Sequence, residues 1–148
     1  MSDFTIAIAT TTAEIERCWP VMRELRPELD PDAFVPQVQR LQGQGYTLAY
    51  LTVAAEVRAI AGFRCGESLS WGRFLYVDDL VTQGGDRNRG YGQHLLTWLR
   101  EQAQQRGCQH IQRAAAHRFY QRHGFAIAGY HFRQSLGTND PKPEPCQG

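Results

Sequence analysis

The sequence predicts an α/β fold: a mixed, mostly antiparallel twisted sheet with helices on both faces. Three observations predict it. Apolar runs of period two and of period three to four alternate along the chain. A central run, RFLYVDDLVT at 73–82, is apolar on both faces apart from two aspartates, as a strand covered on both sides must be. The resulting order, β-α-α-β-β-β-α-β-α-β, places helices against each face of one sheet.

Each element has its own justification. Residues 4–9 (FTIAIA) alternate as a first strand. Thr10, Thr11 and Thr12 offer N-cap hydroxyls, and Glu14 falls in the first turn of a helix that runs to about Arg26. Ile15, Cys18, Trp19, Met22 and Leu25 give that helix one buried stripe before Pro27 stops it. Asp30 and Asp32 flank Pro31 at the head of a second helix carrying Phe34, Val38 and Leu41. Gly43 and Gly45 close it. Runs 46–54 and 58–65 then read as an antiparallel hairpin joined near Ala55 and Glu56. After a turn at 67–72 and the central strand comes the clearest helix, 90–106, with Leu95, Leu96, Trp98 and Leu99 in its stripe and Gly107 at C′. A short strand at 108–112, a helix at 114–123 and a strand at 125–134 follow. One domain over 1–136 is expected, then a polar, proline-rich tail, 137–148, with no reason to fold.

Composition narrows the classes of function. The 148 residues suit one domain with a real core, and 42% hydrophobic against 21% charged is a globular balance. A formal net charge of +1 supplies no bulk attraction to nucleic acid or to an anionic membrane. No apolar stretch approaches the roughly 20 residues that span a bilayer. The first residues lack the basic start of a secretory signal, so a cytoplasmic location is expected. Four cysteines, Cys18, Cys65, Cys108 and Cys146, are scattered without the clustering that a zinc site needs. The histidines form no ligand-like group either, and no metal is expected.

The informative segment is strand, turn, basic-glycine stretch and helix: LYVDDLVTQGGDRNRGYGQHLLTWL. The first amides of a helix lack intrahelical partners, and the helix dipole is positive there. Gly90 and Gly92 let a phosphate approach the amides of 89–93, and Arg87 and Arg89 add charge-assisted contacts. The pattern is a pyrophosphate cradle. It is not a P-loop, because the lysine and the hydroxyl residue are absent. Nor is it a dinucleotide fingerprint, because Gly90-Tyr91-Gly92 lacks the third glycine.

Arg87-Asn88-Arg89-Gly90-Tyr91-Gly92 resembles the [QR]-x-x-G-x-[GA] signature of the GNAT superfamily of N-acetyltransferases. Downstream, AHRFYQRHGF at 116–125 is similar to that family's A-x-x-F-Y-x-x-x-G-F motif, and the element order matches along about 4–134. The resemblance implies a single-domain GNAT-type acyltransferase fold. It also implies an activity: transfer of an acetyl group from acetyl-coenzyme A to an amine, by direct attack in a ternary complex. Leu80, Val81 and Thr82 would then pair edge-on with the pantetheine arm, and the amide of Leu80 or Val81 would donate to the thioester oxygen. Arg87, Asn88, Arg89, Gly90, Tyr91, Gly92 and Gln93 would hold the pyrophosphate. Tyr120 would protonate the departing thiolate, for which the ordinary pKa values of a phenol (~10) and a thiol (~8.5) are suitably close. The acceptor would be a small-molecule, peptide or protein amine, and a homodimer is common in the family.

Bland readings stand beside these. Tyr120 also suits plain core packing, and His117 is the histidine nearest the implied site. Asp78 and Asp79 are awkward in a covered strand, and alternation puts them on opposite faces, so only one of them is expected to accept the amine proton or bind a cationic amine. Asp79 shares parity with Val77 and Val81. Glu28, Asp30, Asp32 and Tyr76 would also suit a cationic acceptor. The stretch between Gly107 and Phe119 is shorter than the family pattern, as residues missing from the sequence or a true deletion would make it. The rival function is a non-catalytic coenzyme A sensor that keeps the cradle without turnover, and a third is another nucleotide-binding domain using the same helix end.

Overall fold

The structure, a computed structural model, describes residues 3–86, 89–113, 131–133 and 144–146. The chain divides into two compact units, Met1–Gln112 and Arg113–Gly148. The first holds β1 (Thr5–Ile8), α1 (Thr12–Leu25), α2 (Pro31–Gln42), β2 (Tyr46–Val53), β3 (Glu56–Ser68), β4 (Gly72–Thr82) and α3 (Tyr91–Gln105). With β5 (His110–Arg113), its strands form a mixed five-stranded sheet in the order β1-β2-β3-β4-β5, antiparallel from β1 through β4. In the second unit, β6 (His131–Arg133) pairs with β7 (Glu144–Cys146).

Alternation along β3 divides the core between two faces. Ile60 packs with Ile15, Cys18, Val21, Met22, Phe34 and Val38, so α1 and α2 cover one face. Phe63, of opposite parity, meets Trp98 of α3 edge-on at 5.9 Å between ring centroids, so α3 covers the other. Leu95, Leu96 and Leu99 are fully buried there, as their spacing predicts. Pro20 lies inside α1, where a proline costs about 3 kcal/mol. Burial of Ile15, Val21 and Met22 at roughly 1.5–3 kcal/mol each exceeds that, and the helix continues through it.

The start of α1 is closed by a capping box. Thr11 Oγ1 accepts from the Glu14 amide at 3.2 Å, and Glu14 Oε1 accepts from the amides of Thr10 and Thr11 at 3.1 Å. Tyr50 Oη donates to Glu14 Oε2 at 2.6 Å, which ties the helix start to β2. This phenol first, then the two threonine amides, holds the Glu14 carboxyl down at about 2, against 4.5 unperturbed. A lowered folded-state pKa stabilises the fold above the unfolded value, and that stabilisation is lost as pH falls through 4.5 towards about 2. Glu14→Gln is therefore expected to lower the urea midpoint at pH 7 but hardly at all near pH 2. An equal deficit at both pH values would count against this account.

Two features depart from the sequence expectation. The β2–β3 turn runs through Ala54 and Ala55, both left-handed (φ 53° and 66°), where glycine or asparagine is the usual choice. Within the terminal segment expected to carry no fold, Glu144–Cys146 forms β7. Composition misses β7 because a two-stranded pair is all edge, and an edge position tolerates Pro145 without an N–H. The expected helix at 114–123 and most of the strand at 125–134 lie outside the described residues.

Candidate functional site

The start of α3 is built differently from those of α1 and α2. Thr11 and Asp30 cap their helices with side-chain oxygens, whereas Gly90 at the N-cap of α3 brings no side-chain cap. Its φ of 79° is a left-handed conformation that glycine adopts without strain. Among the described residues, a Cβ at Gly90 would meet no atom within 4 Å, so they leave the approach to the helix end open on that side. His94 N–H bonds to Gly90 O at 3.1 Å, which leaves the amides of Tyr91, Gly92 and Gln93 at the mouth of the first turn. Arg89 and Gln93 are exposed, and the Tyr91 ring is buried, so Tyr91 offers its amide only. These features fit a phosphate. Arg87 and Asn88 lie outside the described residues, as do Tyr120 and His117.

β4 leads towards this helix. Leu80, Val81 and Thr82 pair with Ala61, Ile60 and Ala59 of β3, and all three are half-buried. On its other edge β4 adjoins β5, whose start is set by Gln109 N–H donating to Arg73 O at 2.8 Å. β5 has four residues against eleven in β4, so among the described residues it accompanies only the early part of β4. The end of β4 at 80–82 lies beyond it.

A bulge interrupts β4 at the two aspartates. Gly62 opposes Asp79 and Phe63 opposes Val77, so Asp78 is an extra residue in the ladder. This corrects the expectation that alternation separates Asp78 from Asp79. Val77 shares the α3 face with Phe63, whereas Asp79 reaches Tyr46 and Arg26 on the α1 face. Asp78 bonds to Arg64, which opposes Tyr46 and so lies on that same α1 face. The extra residue shifts the parity, and both carboxylates end on one side.

Both are engaged. Asp79, 8% exposed, accepts at Oδ1 from Arg26 Nη2 at 2.9 Å and Nε at 3.2 Å, and at Oδ2 from Tyr46 Oη at 2.7 Å. Asp78 accepts from Arg64 Nε and Nη2, each at 2.8 Å. Burial first, then the charge of Asp79 and its hydrogen bond, raises the Tyr46 pKa far above that of a free phenol, so Tyr46 stays protonated and donates. Gly62 leaves room for this cluster, since a Cβ there would stand 2.8 Å from Asp79 Oδ2 and overlap Tyr46 Oη. The sequence reading missed Arg26, Tyr46, Gly62 and Arg64. The available signal was Gly62, a lone glycine inside a strand, which marks a bulge or a close approach. Of the acidic residues proposed for a cationic acceptor, Asp30 instead caps α2, accepting from Asp32 N–H at 2.9 Å.

Comparison with known proteins identifies the family and the fold. The family model described as the acetyltransferase (GNAT) family matches residues 10–125. The chain is 34% identical over 135 residues to the uncharacterized N-acetyltransferase YhdJ of Bacillus subtilis strain 168, covering 86% of this chain and 95% of that one. A GNAT family acetyltransferase of Staphylococcus aureus USA300_TCH1516 superposes with a TM-score of 0.78 at 15% identity, over 92% of this chain and 100% of that one. The aminoglycoside N-acetyltransferase AAC(6')-Iy, solved with CoA, superposes with a TM-score of 0.74 at 13% identity, over 95% of this chain and 96% of that one. At such identities the two structures speak for the fold alone. No helix among the described residues is long and apolar enough to cross a membrane.

Proposed function

The chain belongs to the GNAT family of acetyltransferases and is an acetyl-CoA-dependent acyltransferase, and from that premise we propose that it acetylates an amine by direct attack in a ternary complex. The single observation that carries the reading is the first turn of α3, where Gly90 stands at the N-cap with no side-chain cap among the described residues, at the end of an Arg-x-Arg-Gly-x-Gly stretch and following a bulged β4. Acetyl-CoA supplies an activated acyl group as a thioester.

In this reading the amides of 89–93, with Arg87, Asn88 and Arg89, bind the pyrophosphate. Leu80, Val81 and Thr82 align the pantetheine arm by backbone bonds, and the amide of Leu80 or Val81 donates to the carbonyl oxygen as charge develops there. By the family resemblance, Tyr120 returns a proton to the sulfur.

The aspartates take a role different from that of a free base. Both carboxylates already hold side-chain donors, Asp79 those of Arg26 and Tyr46 and Asp78 those of Arg64. In this reading they act as positioning residues that fix the bulge, and the amine proton leaves to water. The two carboxylates and two guanidiniums carry no net charge, so they are not a standing trap for a cationic acceptor.

The test is thiol release from acetyl-CoA, followed with a disulfide dye over a panel of small amines, amino acids and peptide N-termini. Release that depends on the amine is expected, with N-acetylated product found by mass spectrometry. Acetyl-CoA binding without amine-dependent release across the panel would favour the sensor reading.

A further inference from the structure

The end of α1 reaches the bulge in β4. Arg26 is the C-cap residue of α1, and its own N–H is fixed on Met22 O at 2.9 Å. Its guanidinium grips two consecutive residues of the bulge. Nη2 donates to Asp78 O at 3.4 Å and to Asp79 Oδ1 at 2.9 Å, and Nε donates to Asp79 Oδ1 at 3.2 Å. Tyr46 Oη holds the other carboxylate oxygen at 2.7 Å. Asp79 is thus held from the helix and from β2, immediately before Leu80.

The direction of the Leu80 amide follows from the ladder. In an antiparallel pair, alternate residues turn their N–H and C=O towards the partner strand. Gln83 N–H donates to Arg58 O at 2.8 Å, and the register runs unbroken from Thr82 opposite Ala59 to Asp79 opposite Gly62. Val81 and Asp79 therefore aim their amides at β3. Leu80 aims its amide at the opposite edge, which β5, among the described residues, leaves uncovered at 80–82.

We propose that Arg26 is a positioning residue for acyl transfer, whose grip on Asp78 O and the Asp79 carboxylate aims the Leu80 amide at the thioester oxygen. This role rests on the transfer reading above and selects Leu80 over Val81 as the donor. As the amine nitrogen bonds to the thioester carbon, negative charge collects on the oxygen. The C–S bond then breaks, the sulfur leaves with the electron pair, and the amine proton goes to water. A donor fixed before the charge develops stabilises it without reorganisation, and a donor swung off line stabilises it less.

The test uses the full chain and an amine found by thiol release, at a temperature where melting curves show each variant folded. Arg26→Lys keeps a cation beside Asp79 but has no planar fork to hold the Asp78 carbonyl as well. It is expected to lower kcat by about ten- to a hundredfold, less than the loss of a whole oxyanion donor, with the KM of acetyl-CoA and of the amine within about threefold of wild type. Arg26→Ala should lose at least as much. Millimolar guanidinium should restore part of its kcat where equal sodium chloride does not, because the Arg26 side chain is 42% exposed and its place is open to solvent. An unchanged kcat in Arg26→Lys, a raised amine KM with kcat kept, or no guanidinium response in folded Arg26→Ala would each overturn the clamp. Wild type still turns over in all three cases. Acetyl-CoA binding without amine-dependent release by wild type would overturn the transfer reading itself, and the clamp with it.

Discussion

Gly62→Ala is expected to destabilise the fold by roughly 3–5 kcal/mol, which is large for the addition of one methyl group in a strand. The methyl would overlap Tyr46 Oη, stand 2.5 Å from Tyr46 Cζ and lie 2.8 Å from Asp79 Oδ2. None of these atoms is the far end of a loose side chain. Tyr46 is 6% exposed, and its hydroxyl is committed to a carboxylate that Arg26 also holds. Relief requires Tyr46 to swing away, which leaves Asp79 Oδ2 without its donor, or requires the β3–β4 ladder to open at the bulge. Tyr46→Phe alone, which removes only that donor, is expected to cost about 1–3 kcal/mol. The two changes damage one cluster, so the double variant should cost less than the sum by at least about 1 kcal/mol. Urea titrations of the four proteins measure the cycle. A Gly62→Ala loss under about 1 kcal/mol, or strict additivity, would mean that the cluster is not the constraint described here.

Arg87→Ala/Arg89→Ala is expected to weaken acetyl-CoA binding by about 100-fold while leaving the melting temperature nearly unchanged. A hydrogen bond to a charged group contributes about 1.5–3 kcal/mol, and two at the low end give that factor. Exposure of Arg89 is the reason for taking the low end. What remains is the helix end itself, whose amides and dipole the substitutions do not touch. Wild-type affinity should also fall with added salt, and more steeply than that of the double variant. Calorimetry at two ionic strengths reads both effects. Binding within threefold of wild type in a folded double variant would move the cofactor away from the start of α3, and no wild-type binding would remove the proposed reaction with it.

Much of the fold is legible in the sequence, because the signals concerned are local. The capping box at Thr11 and Glu14, the Asp30-Pro31 start of α2 and the stripe Leu95, Leu96 and Leu99 each depend on residues within a few positions of one another. The α3 start is legible for the same reason: an arginine-flanked Gly-x-Gly before an apolar stripe is a contiguous pattern, and Gly90 takes the backbone conformation that glycine is there to allow. Where local rules are overridden, the cause lies elsewhere in the chain. Pro20 and Pro36 sit inside α1 and α2 because the buried faces on either side outweigh them. The expected alternation of Asp78 and Asp79 fails because of a bulge that only pairing with β3 defines.

Between residues 5 and 113 the sequence by itself determined the helices and strands, the covered central strand and the Gly90 turn before α3, since period, cap and glycine chemistry are properties of neighbouring residues. Tertiary structure alone decided what the two aspartates face and what holds them. Arg26 is 53 positions from Asp79, and Arg64 is 14 from Asp78. Register, bulges and the return of a helix end onto a sheet are set by the packing of distant segments, and no window of sequence contains both halves of such a contact.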